Sequence, residues 1–370
     1  MKKSMSATLP RRQRGVALIA VMMVVALVVV IAVSMSGRLQ LQLQRQLNLM
    51  ERQQALWLAL GAEEFSRGLL KRTAVGKDTV NLSQQWAAEG ASFPVEQGSI
   101  TGKITDLQSC FNVNSLQRAQ EKRSGADSPQ SGQPPDGQRE NERTEDQQGQ
   151  QPQSKAPGNN ALLKLTPAQQ AFQRLLEQSA PELSMPAEYL VARLTDWLDA
   201  DSTLQSAGGA EENDYAALEF PFYSANSLMV SKSELRLLLD MTPADYAMVA
   251  PLVCVIPQQH LLQLNVNTIT TEQAAVLSGL IPGLSLDAAE ALIASRPEKG
   301  FENIGQFFAS SQLAGLTLTD ENKTLFSVTS GFFQAELTVQ LADSSFKLTS
   351  VFKVNDKQVQ VVARRFGGPG

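Results

Sequence analysis

The chain has 370 residues, 43% of them hydrophobic and 19% charged, so it is long enough to bury a core in two domains or in one domain with a large insertion. Its formal net charge of -5 argues against general binding to the phosphate backbone of nucleic acid, which requires a basic surface. A single histidine, His260, and two cysteines without metal-ligand spacing argue against zinc.

The first 36 residues predict a membrane anchor. Residues 1–14 contain lysine and arginine but no acidic residue, and every residue from Val16 to Val33 is apolar. The uncharged stretch 16–36 has the length of a helix that crosses the ~30 Å hydrocarbon layer of a membrane. Because basic flanking residues stay on the cytoplasmic side, we expect the N-terminus in the cytoplasm and the rest of the chain on the opposite side.

The helix is predicted to continue well beyond the membrane. No proline occurs between Arg38 and Arg72, and the residues there are strong helix formers. One helix from Val16 to about Arg72 would be on the order of 85 Å long. Its outer half offers large apolar side chains to a packed domain, namely Leu56, Trp57, Leu60, Phe65 and Leu69.

A first strand is predicted over residues 99–107, where apolar and polar residues alternate. The motif Asn-Val-Asn follows at 112–114 and recurs at 265–267, each time before Ser or Thr. This echo indicates either a repeated structural element or two unrelated helix starts that use the same capping residues.

The middle of the chain begins with a linker and continues with helices. Residues 118–160 have almost no apolar side chains and are rich in Gln, Pro, Gly and Ser, so they predict disorder. Capping residues and apolar spacing then predict helices over 166–177, 188–198, 231–239 and 243–250.

One segment, 196–215, is dense in oxygen ligands. Its Asp-x-Asp-x-Thr spacing suits a loop that wraps a hard cation, and two glycines let the chain fold back. It is not an EF-hand, because Leu204 and Ala210 stand where that loop needs Gly and Glu. The residues leave open a solvated acidic loop and a cation site, whose candidate ligands are Asp199, Asp201, Thr203, Glu211, Glu212 and Asp214.

Residues 276–293 resemble a helix-hairpin-helix, a module that often grips DNA phosphates through backbone N–H groups. However, Ser285 replaces the second hairpin glycine, and Asp287 and Glu290 lie near the expected phosphate position. Arg296 and Lys299 are the nearby bases. We therefore interpret the hairpin as a packing or protein-docking element and expect no nucleic-acid partner.

Three more strands are predicted over 332–340, 346–354 and 358–366, with turns at 342–344 and 355–357. They would join the first strand in one antiparallel sheet, so the middle of the chain is an insertion. The predicted organisation is a leader (1–15), a transmembrane segment (16–36), a helix and first strand region (37–115), a disordered linker (116–160), an inserted α-domain (161–330) and C-terminal strands (331–370).

The basic leader, the glycine at its end and the long helix resemble the class III signal of type IV pilins and type II secretion pseudopilins. The resemblance implies cleavage by the prepilin peptidase after Gly15 and methylation of the new amine on Val16. Glycine suits the scissile position because it leaves the backbone unhindered. The alternative is an uncleaved single-span anchor.

Most members of this superfamily have Glu at the fifth position of the mature chain, which here is Ala20. A carboxylate in the bilayer is costly unless paired, and in these fibres it is thought to pair with the N-terminal amine of a neighbouring subunit. The missing Glu and the large insertion resemble the minor pseudopilin K family of type II secretion systems. This resemblance implies an α+β fold, with a pilin-like long N-terminal helix packed on a small antiparallel sheet and a mostly α-helical domain inserted between strands.

The same resemblance favours calcium over a solvated loop in the acidic segment, because the inserted domain of this family binds calcium. It implies a non-enzymatic subunit at the tip of the periplasmic pseudopilus in the Gram-negative inner membrane. Its implied partners are minor pseudopilins I and J, the prepilin peptidase and the inner-membrane secretion platform. No nucleophile elbow, phosphate loop or metalloprotease helix indicates an enzyme. The alternatives are a membrane-anchored DNA-uptake receptor and a minor pilin of a type IV pilus.

The two cysteines acquire a possible role from this topology. In an oxidising periplasm Cys110, beside a sheet strand, and Cys254, in the insertion, can pair and clamp the inserted domain to the pilin-like body. The alternative is two buried thiols.

Overall fold

The computed structural model describes residues 16–88, 90–96, 98–117, 165–341 and 344–367. The predicted leader with Gly15, the linker from residue 118 to 160, and the turn residues Ala342 and Asp343 lie outside the described residues.

A single helix, α1, runs from Val16 to Thr73 and confirms the predicted continuous helix. Among the described residues, it is the one helix long and apolar enough to cross a membrane. Its outer part packs on the sheet through Ala55, Ala59 and Leu70. Trp57 and Phe65, which were expected to face the packed domain, are 66% and 53% exposed. The small alanines instead let the helix approach the sheet closely.

The sheet has five antiparallel strands: β1 (Ala91–Val95), β2 (Gly98–Asp106), β7 (Phe332–Leu341), β8 (Ser344–Val354) and β9 (Val359–Phe366). Their order across the sheet is β1-β2-β7-β8-β9. Four of them match the predicted strands. The fifth strand, β1, was not predicted, and it contains Pro94. A proline donates no hydrogen bond to a ladder, and it is tolerated here because β1 lies at the sheet edge.

The core of the pilin-like domain lies between α1 and the sheet. Trp86 packs edge-on against Phe333, with ring centroids 5.1 Å apart. One charged residue faces this core, since Glu63 of α1 is only 5% exposed. Its carboxylate accepts two 2.8 Å hydrogen bonds from the guanidinium of Arg364 on β9 and one from the hydroxyl of Ser350 on β8. This ion pair fixes the rotation of α1 on the sheet.

The inserted domain lies between β2 and β7 and is mostly helical, as predicted. Its elements are α2 (Pro167–Ser179), α3 (Ala187–Leu198), α4 (Glu212–Ala216), α5 (Pro243–Val249), α6 (Ala274–Leu280), α7 (Leu286–Ala294), α8 (Ile304–Phe308), α9 (Asp320–Lys323) and the short strands β3 (Phe111–Asn112), β4 (Val253–Cys254), β5 (Leu264–Asn265) and β6 (Phe326–Ser327). The helix predicted over 231–239 is a 3-10 helix at Lys232–Leu237.

The second asparagines of the two Asn-Val-Asn motifs make matching hydrogen bonds, which favours a repeated element over unrelated caps. The side-chain amide of Asn114 accepts a hydrogen bond from the N–H of Met229 at 2.8 Å and donates to its carbonyl at 2.9 Å. Asn267 pairs in the same way with Phe301, at 2.7 and 2.9 Å. Each second asparagine thus ties its motif to a distant backbone segment.

The first of these motifs belongs to the inserted domain. Phe111, Val113 and Leu116 are buried in the core of that domain. The predicted boundary, which assigned residues up to 115 to the pilin-like region, lies past the point where the chain leaves the sheet. The reason is that β2 ends at Asp106, and the chain enters the second core within a few residues.

Two features close the junction between the domains. Cys110 and Cys254 form a disulfide with a Cα–Cα distance of 5.8 Å, so the structure contains the pairing that the sequence left open. Beside it, the buried carboxylate of Asp106 accepts hydrogen bonds from the Gln108 N–H at 2.8 Å, from Thr268 Oγ1 at 2.6 Å and from the Ser330 hydroxyl. Gln108 and Ser330 lie at the two crossings of the chain between the domains, and Thr268 lies within the inserted domain.

Candidate metal centre

Three carboxylates of the inserted domain converge at one point. Asp196, Asp199 and Glu211 each place one oxygen so that all three oxygens lie within 4.8 Å of one another. These residues are 0%, 5% and 4% exposed, respectively. Buried carboxylates at this separation repel each other unless a proton or a cation lies between them.

Local structure brings the three residues together. Asp196 lies in the last turn of α3 and Asp199 caps its C-terminus, whereas Glu211 lies at the N-terminus of α4. Between them the chain turns back at Gly208, whose φ of +87° favours glycine, and passes close to the cluster at Gly209. A Cβ at Gly209 would lie 1.9 Å from Asp196 Oδ2, so only glycine fits there.

Several oxygens of the cluster have no hydrogen-bond partner among the described residues: Asp196 Oδ2, Asp199 Oδ1 and both carboxylate oxygens of Glu211. The remaining two are held by Gln205, which donates from its backbone N–H to Asp196 and from its side chain to Asp199, each at 3.1 Å. A buried acceptor without a donor is costly. The unpaired oxygens point to a ligand that supplies positive charge.

Burial raises the pKa of each carboxyl group. It raises the pKa of Asp196 to about 7, with a further increase from repulsion by Asp199. Burial likewise raises the pKa of Glu211 to about 7 and that of Asp199 to about 6, again with repulsion from neighbouring carboxylates. The raised pKa values mean that the three carboxyl groups resist ionisation. A bound cation would stabilise their charged forms and lower these pKa values.

An apolar shell and one arginine surround the centre. Trp197 packs edge-on against Tyr215, with centroids 5.3 Å apart, and Phe222 packs on Tyr215 at the same distance. Arg193 donates to the carbonyl of Gly208 at 3.2 Å and forms an ion pair with Asp240 at 2.9 Å. The shell limits access of water, and Arg193 holds the glycine turn in place.

The structure brings only part of the predicted ligand set to the cluster. Asp199 and Glu211 belong to it. The other four are exposed, namely Asp201, Thr203, Glu212 and Asp214. Asp201 accepts from the N–H of Thr203 at 2.9 Å, and Asp214 accepts from the N–H of Glu211 at 2.9 Å, so both of these carboxylates shape the loop.

Asp196 is the ligand candidate that the sequence analysis missed, because it lies inside a predicted helix. The available signal was its position on the buried face of that helix, beside Trp197 and three residues before Asp199. Two further oxygens, Asn226 Oδ1 and Ser224 Oγ, are also buried and have no partner in the part of the chain that the structure describes. Asn226 donates to the carbonyl of Asp201 at 3.0 Å, which brings this segment beside the acidic loop.

The donor set fits calcium better than other metals. Carboxylate oxygens on a flexible loop are typical ligands of a hard cation such as calcium. The three-residue cluster offers neither the nitrogen nor the sulfur ligands that zinc prefers.

The hairpin at 276–293 serves packing in this structure. A Cβ at Gly279 of α6 would lie 2.7 Å from the Leu175 side chain, so α6 and α2 are in close contact. Arg296 donates to the carbonyls of Val266 and Ile269 at 3.0 and 2.8 Å and is thereby engaged within the domain. Asp287 and Glu290 are exposed. These contacts support the packing interpretation.

Together, the long apolar helix, the small sheet and the inserted acidic domain define a pilin-like subunit with a single N-terminal helix of membrane-spanning length. Family models described as "Type II secretion system (T2SS), protein K" match residues 109–258 and 264–329. The type II secretion system protein K of Aeromonas hydrophila is 35% identical over 97% of this chain and 98% of its own length. That of Pectobacterium carotovorum is 33% identical over 96% and 97%.

The chain also resembles a chain of the solved GspK-GspI-GspJ complex from enterotoxigenic Escherichia coli. The TM-score is 0.68 at 26% identity, and the match covers 88% of this chain and 99% of that chain. The chain therefore belongs to the type II secretion system protein K family. This confirms the family that the leader, Ala20 and the insertion indicated.

Proposed function

We propose that the chain is a non-enzymatic minor pseudopilin at the tip of the type II secretion pseudopilus. In this role it assembles with minor pseudopilins I and J and helps to initiate the fibre that exports folded proteins across the outer membrane. The solved relative was crystallised with two other subunits, GspI and GspJ, which supports an assembly of this kind.

The observation that carries the proposal is an uncovered apolar stripe on α1 outside the predicted membrane span. It consists of Leu39, Leu43, Leu47, Met50 and Trp57, all 53–66% exposed. Their spacing of three, four and seven residues places them on one helix face. The stripe leads into an apolar groove of about 500 Å³ between α1, β1 and β2, where Gly61, Phe65 and Phe93 line the wall. An exposed apolar strip of this length requires partner helices.

Two features support the tip position, namely the missing carboxylate at position 20 and the large inserted domain. Ala20 supplies no carboxylate to pair with the amine of a subunit ahead of it. The inserted domain spans the chain between Asp106 and Phe332 and makes the head too large to stack below another subunit in a regular fibre.

Processing and topology complete the proposal. The prepilin peptidase would cleave after Gly15 on the cytoplasmic side and methylate Val16, the residue at which α1 begins. The basic leader keeps the N-terminus in the cytoplasm, the head lies in the periplasm, and the mature helix is delivered to the inner-membrane secretion platform.

Co-purification of full-length chain with I and J from detergent-solubilised membranes tests the assembly. We expect retention of both partners by the wild type and strong loss with Met50→Glu, which places a charge in the apolar stripe. Gln44→Glu, which adds the same charge at an exposed position on another face of this segment, is the control. Failure of the wild type to retain either partner would overturn the proposal. Mass spectrometry of the N-terminal peptide with and without the peptidase tests processing, and an intact leader in both samples would contradict it.

We further propose that the centre at Asp196, Asp199 and Glu211 binds a structural calcium ion. Isothermal titration with calcium is expected to show binding that Asp196→Asn weakens at least about thirtyfold, since one buried charged ligand is lost. Glu212→Gln, which removes a neighbouring exposed charge, is expected to change the affinity less than about threefold. Equal effects of the two variants would assign the affinity to general negative charge and remove the proposed site.

A further inference from the structure

Three arginines follow α1 at seven-residue intervals beyond the predicted membrane span: Arg38, Arg45 and Arg52. Seven residues of helix rise about 10.5 Å and shift the side chain by only about 20° around the axis, so the three guanidinium groups form a ladder on one face. All three residues are exposed, and none makes an ion pair or hydrogen bond with any residue that the structure describes.

The arginines lie on a line of positions along α1, and the sheet covers the later positions of that line. Leu41 and Asn48 lie between the arginines at alternating spacings of three and four residues. The next positions of the same line, Ala55 and Ala59, are 2% and 0% exposed under the sheet. We name the uncovered part, Arg38, Leu41, Arg45, Asn48 and Arg52, the arginine seam. It has the spacing of a coiled-coil contact line, but no helix among the described residues packs on it.

The arginine seam and the apolar stripe are different faces of α1. Leu43 and Met50 of the stripe are two residues before Arg45 and Arg52, a rotation of about 200° around the helix. A helix packed on the stripe therefore leaves the arginines uncovered. A partner that contacts them must therefore be a second neighbour.

Lipid headgroups can contact only Arg38, the arginine nearest the membrane. If residues 16–36 fill the hydrocarbon layer, Arg45 lies about 13 Å and Arg52 about 24 Å beyond its edge along the helix. The headgroup region is only about 5–8 Å deep on each side. A partner that neutralises all three charges must therefore extend from the membrane alongside α1.

We propose that the arginine seam docks a neighbouring subunit's membrane-anchored helix that presents Asp or Glu at seven-residue spacing. This inference rests on the proposed function, and it specifies the chemistry of one interface in that assembly. The drift of about 20° per heptad corresponds to a left-handed crossing of two helices at about 20°. Complementary charges at this spacing select the partner and its register along α1.

The test compares two double variants of the full-length chain that lower the net charge equally. Arg45→Gln/Arg52→Gln removes two charges from the seam, whereas Gln40→Glu/Gln44→Glu adds two acids on another face of the same exposed segment. Each is co-purified with I and J from solubilised membranes in 50 mM and 500 mM salt. A third variant, Arg38→Gln, and flotation with phosphatidylglycerol vesicles report the lipid contribution.

We expect the arginine double variant to retain at least one partner about tenfold less well in low salt and to lose the salt dependence seen with the wild type. The glutamate double variant should behave as wild type. If both double variants behaved alike while the wild type still bound I and J, the proposed role of the arginine seam would be wrong and the proposed function would stand. A loss reproduced by Arg38→Gln alone, with reduced vesicle binding, would assign the arginines to lipid and also overturn it. Absence of I and J from the wild type would instead defeat the proposed function.

Discussion

Two buried acidic sites in this chain, the junction carboxylate Asp106 and the centre at Asp196, Asp199 and Glu211, are satisfied in opposite ways. Burial raises the pKa of Asp106 to about 6, close to the values in the centre. Yet Asp106 accepts hydrogen bonds from Gln108, Thr268 and Ser330, whereas four oxygens of the centre accept none among the described residues. Burial and charge alone therefore do not identify a metal site. The oxygens without donors are the feature that makes the centre a candidate metal site.

Removal of the proposed calcium ion should have the largest effect, because of these two sites the centre is the one whose buried oxygens lack donors among the described residues. At a calcium concentration 1,000-fold above Kd, binding contributes about 4 kcal/mol to the free energy of unfolding. We expect chelation to lower the melting temperature of the inserted domain by about 8–16 °C. Differential scanning calorimetry with calcium or EGTA measures this shift, and magnesium in place of calcium is the control. Superimposable melts would contradict the distinction between the two sites.

Asp106→Ala should come next, with a loss of about 3 kcal/mol in unfolding free energy, because it leaves buried hydroxyl and N–H donors without an acceptor. Unlike the loss on chelation, it should be the same with and without calcium. Asp78→Ala, at an exposed position, is the matched control and should have almost no effect. Denaturant titration gives both values. If the Asp106 variant also abolished the calcium-dependent shift, the two sites would be coupled rather than independent.

A smaller effect is expected from pH at saturating calcium. The raised pKa means that folded Asp106 holds a proton that the unfolded chain, with a pKa of 3.8, has already released. Its contribution to stability is therefore present at low pH and is lost as pH rises through about 6, by about 1.4 kcal/mol between pH 5 and pH 7.5. Asp106→Asn should remove this part of the pH dependence. An unchanged slope in the variant would show that Asp106 does not titrate in this range.

Glu63 offers a third solution, a buried carboxylate paired with an arginine, and should have the smallest effect. Burial raises its pKa, but hydrogen bonds from Arg364 and Ser350 lower it more, so the net pKa lies below the usual value. Because Arg364 is 47% exposed, Glu63→Gln should cost only about 1 kcal/mol. Glu64→Gln on the same helix, which loses only a surface pair with Arg67, is the control. Equal stability of the two variants would leave the Glu63 pair without a measurable role.

Features set by local sequence were predicted well. The apolar run and the absence of proline predicted α1, and alternating side chains predicted β2 and β7 to β9. The two Asn-Val-Asn motifs left a repeat and unrelated caps open, and their matching hydrogen bonds favour the repeat. Features that depend on distant contacts were not predicted well. Pro94 argued against β1, whose place in the sheet depends on pairing with β2. Helix packing on α1 uses Ala55 and Ala59 rather than the larger Trp57, because close approach matters more there than side-chain size.

For the metal centre, the sequence alone located the acidic segment and the glycines that let it fold back. Two of its three carboxylates, Asp199 and Glu211, were in the predicted set. Only the tertiary structure selected Asp196 in place of the exposed acids, because the choice depends on which carboxylates the glycine turn and the Trp197 shell remove from water. Composition determines which charges a segment carries. Burial, which arises from contacts between distant parts of the chain, decides which of them are removed from water and left without donors.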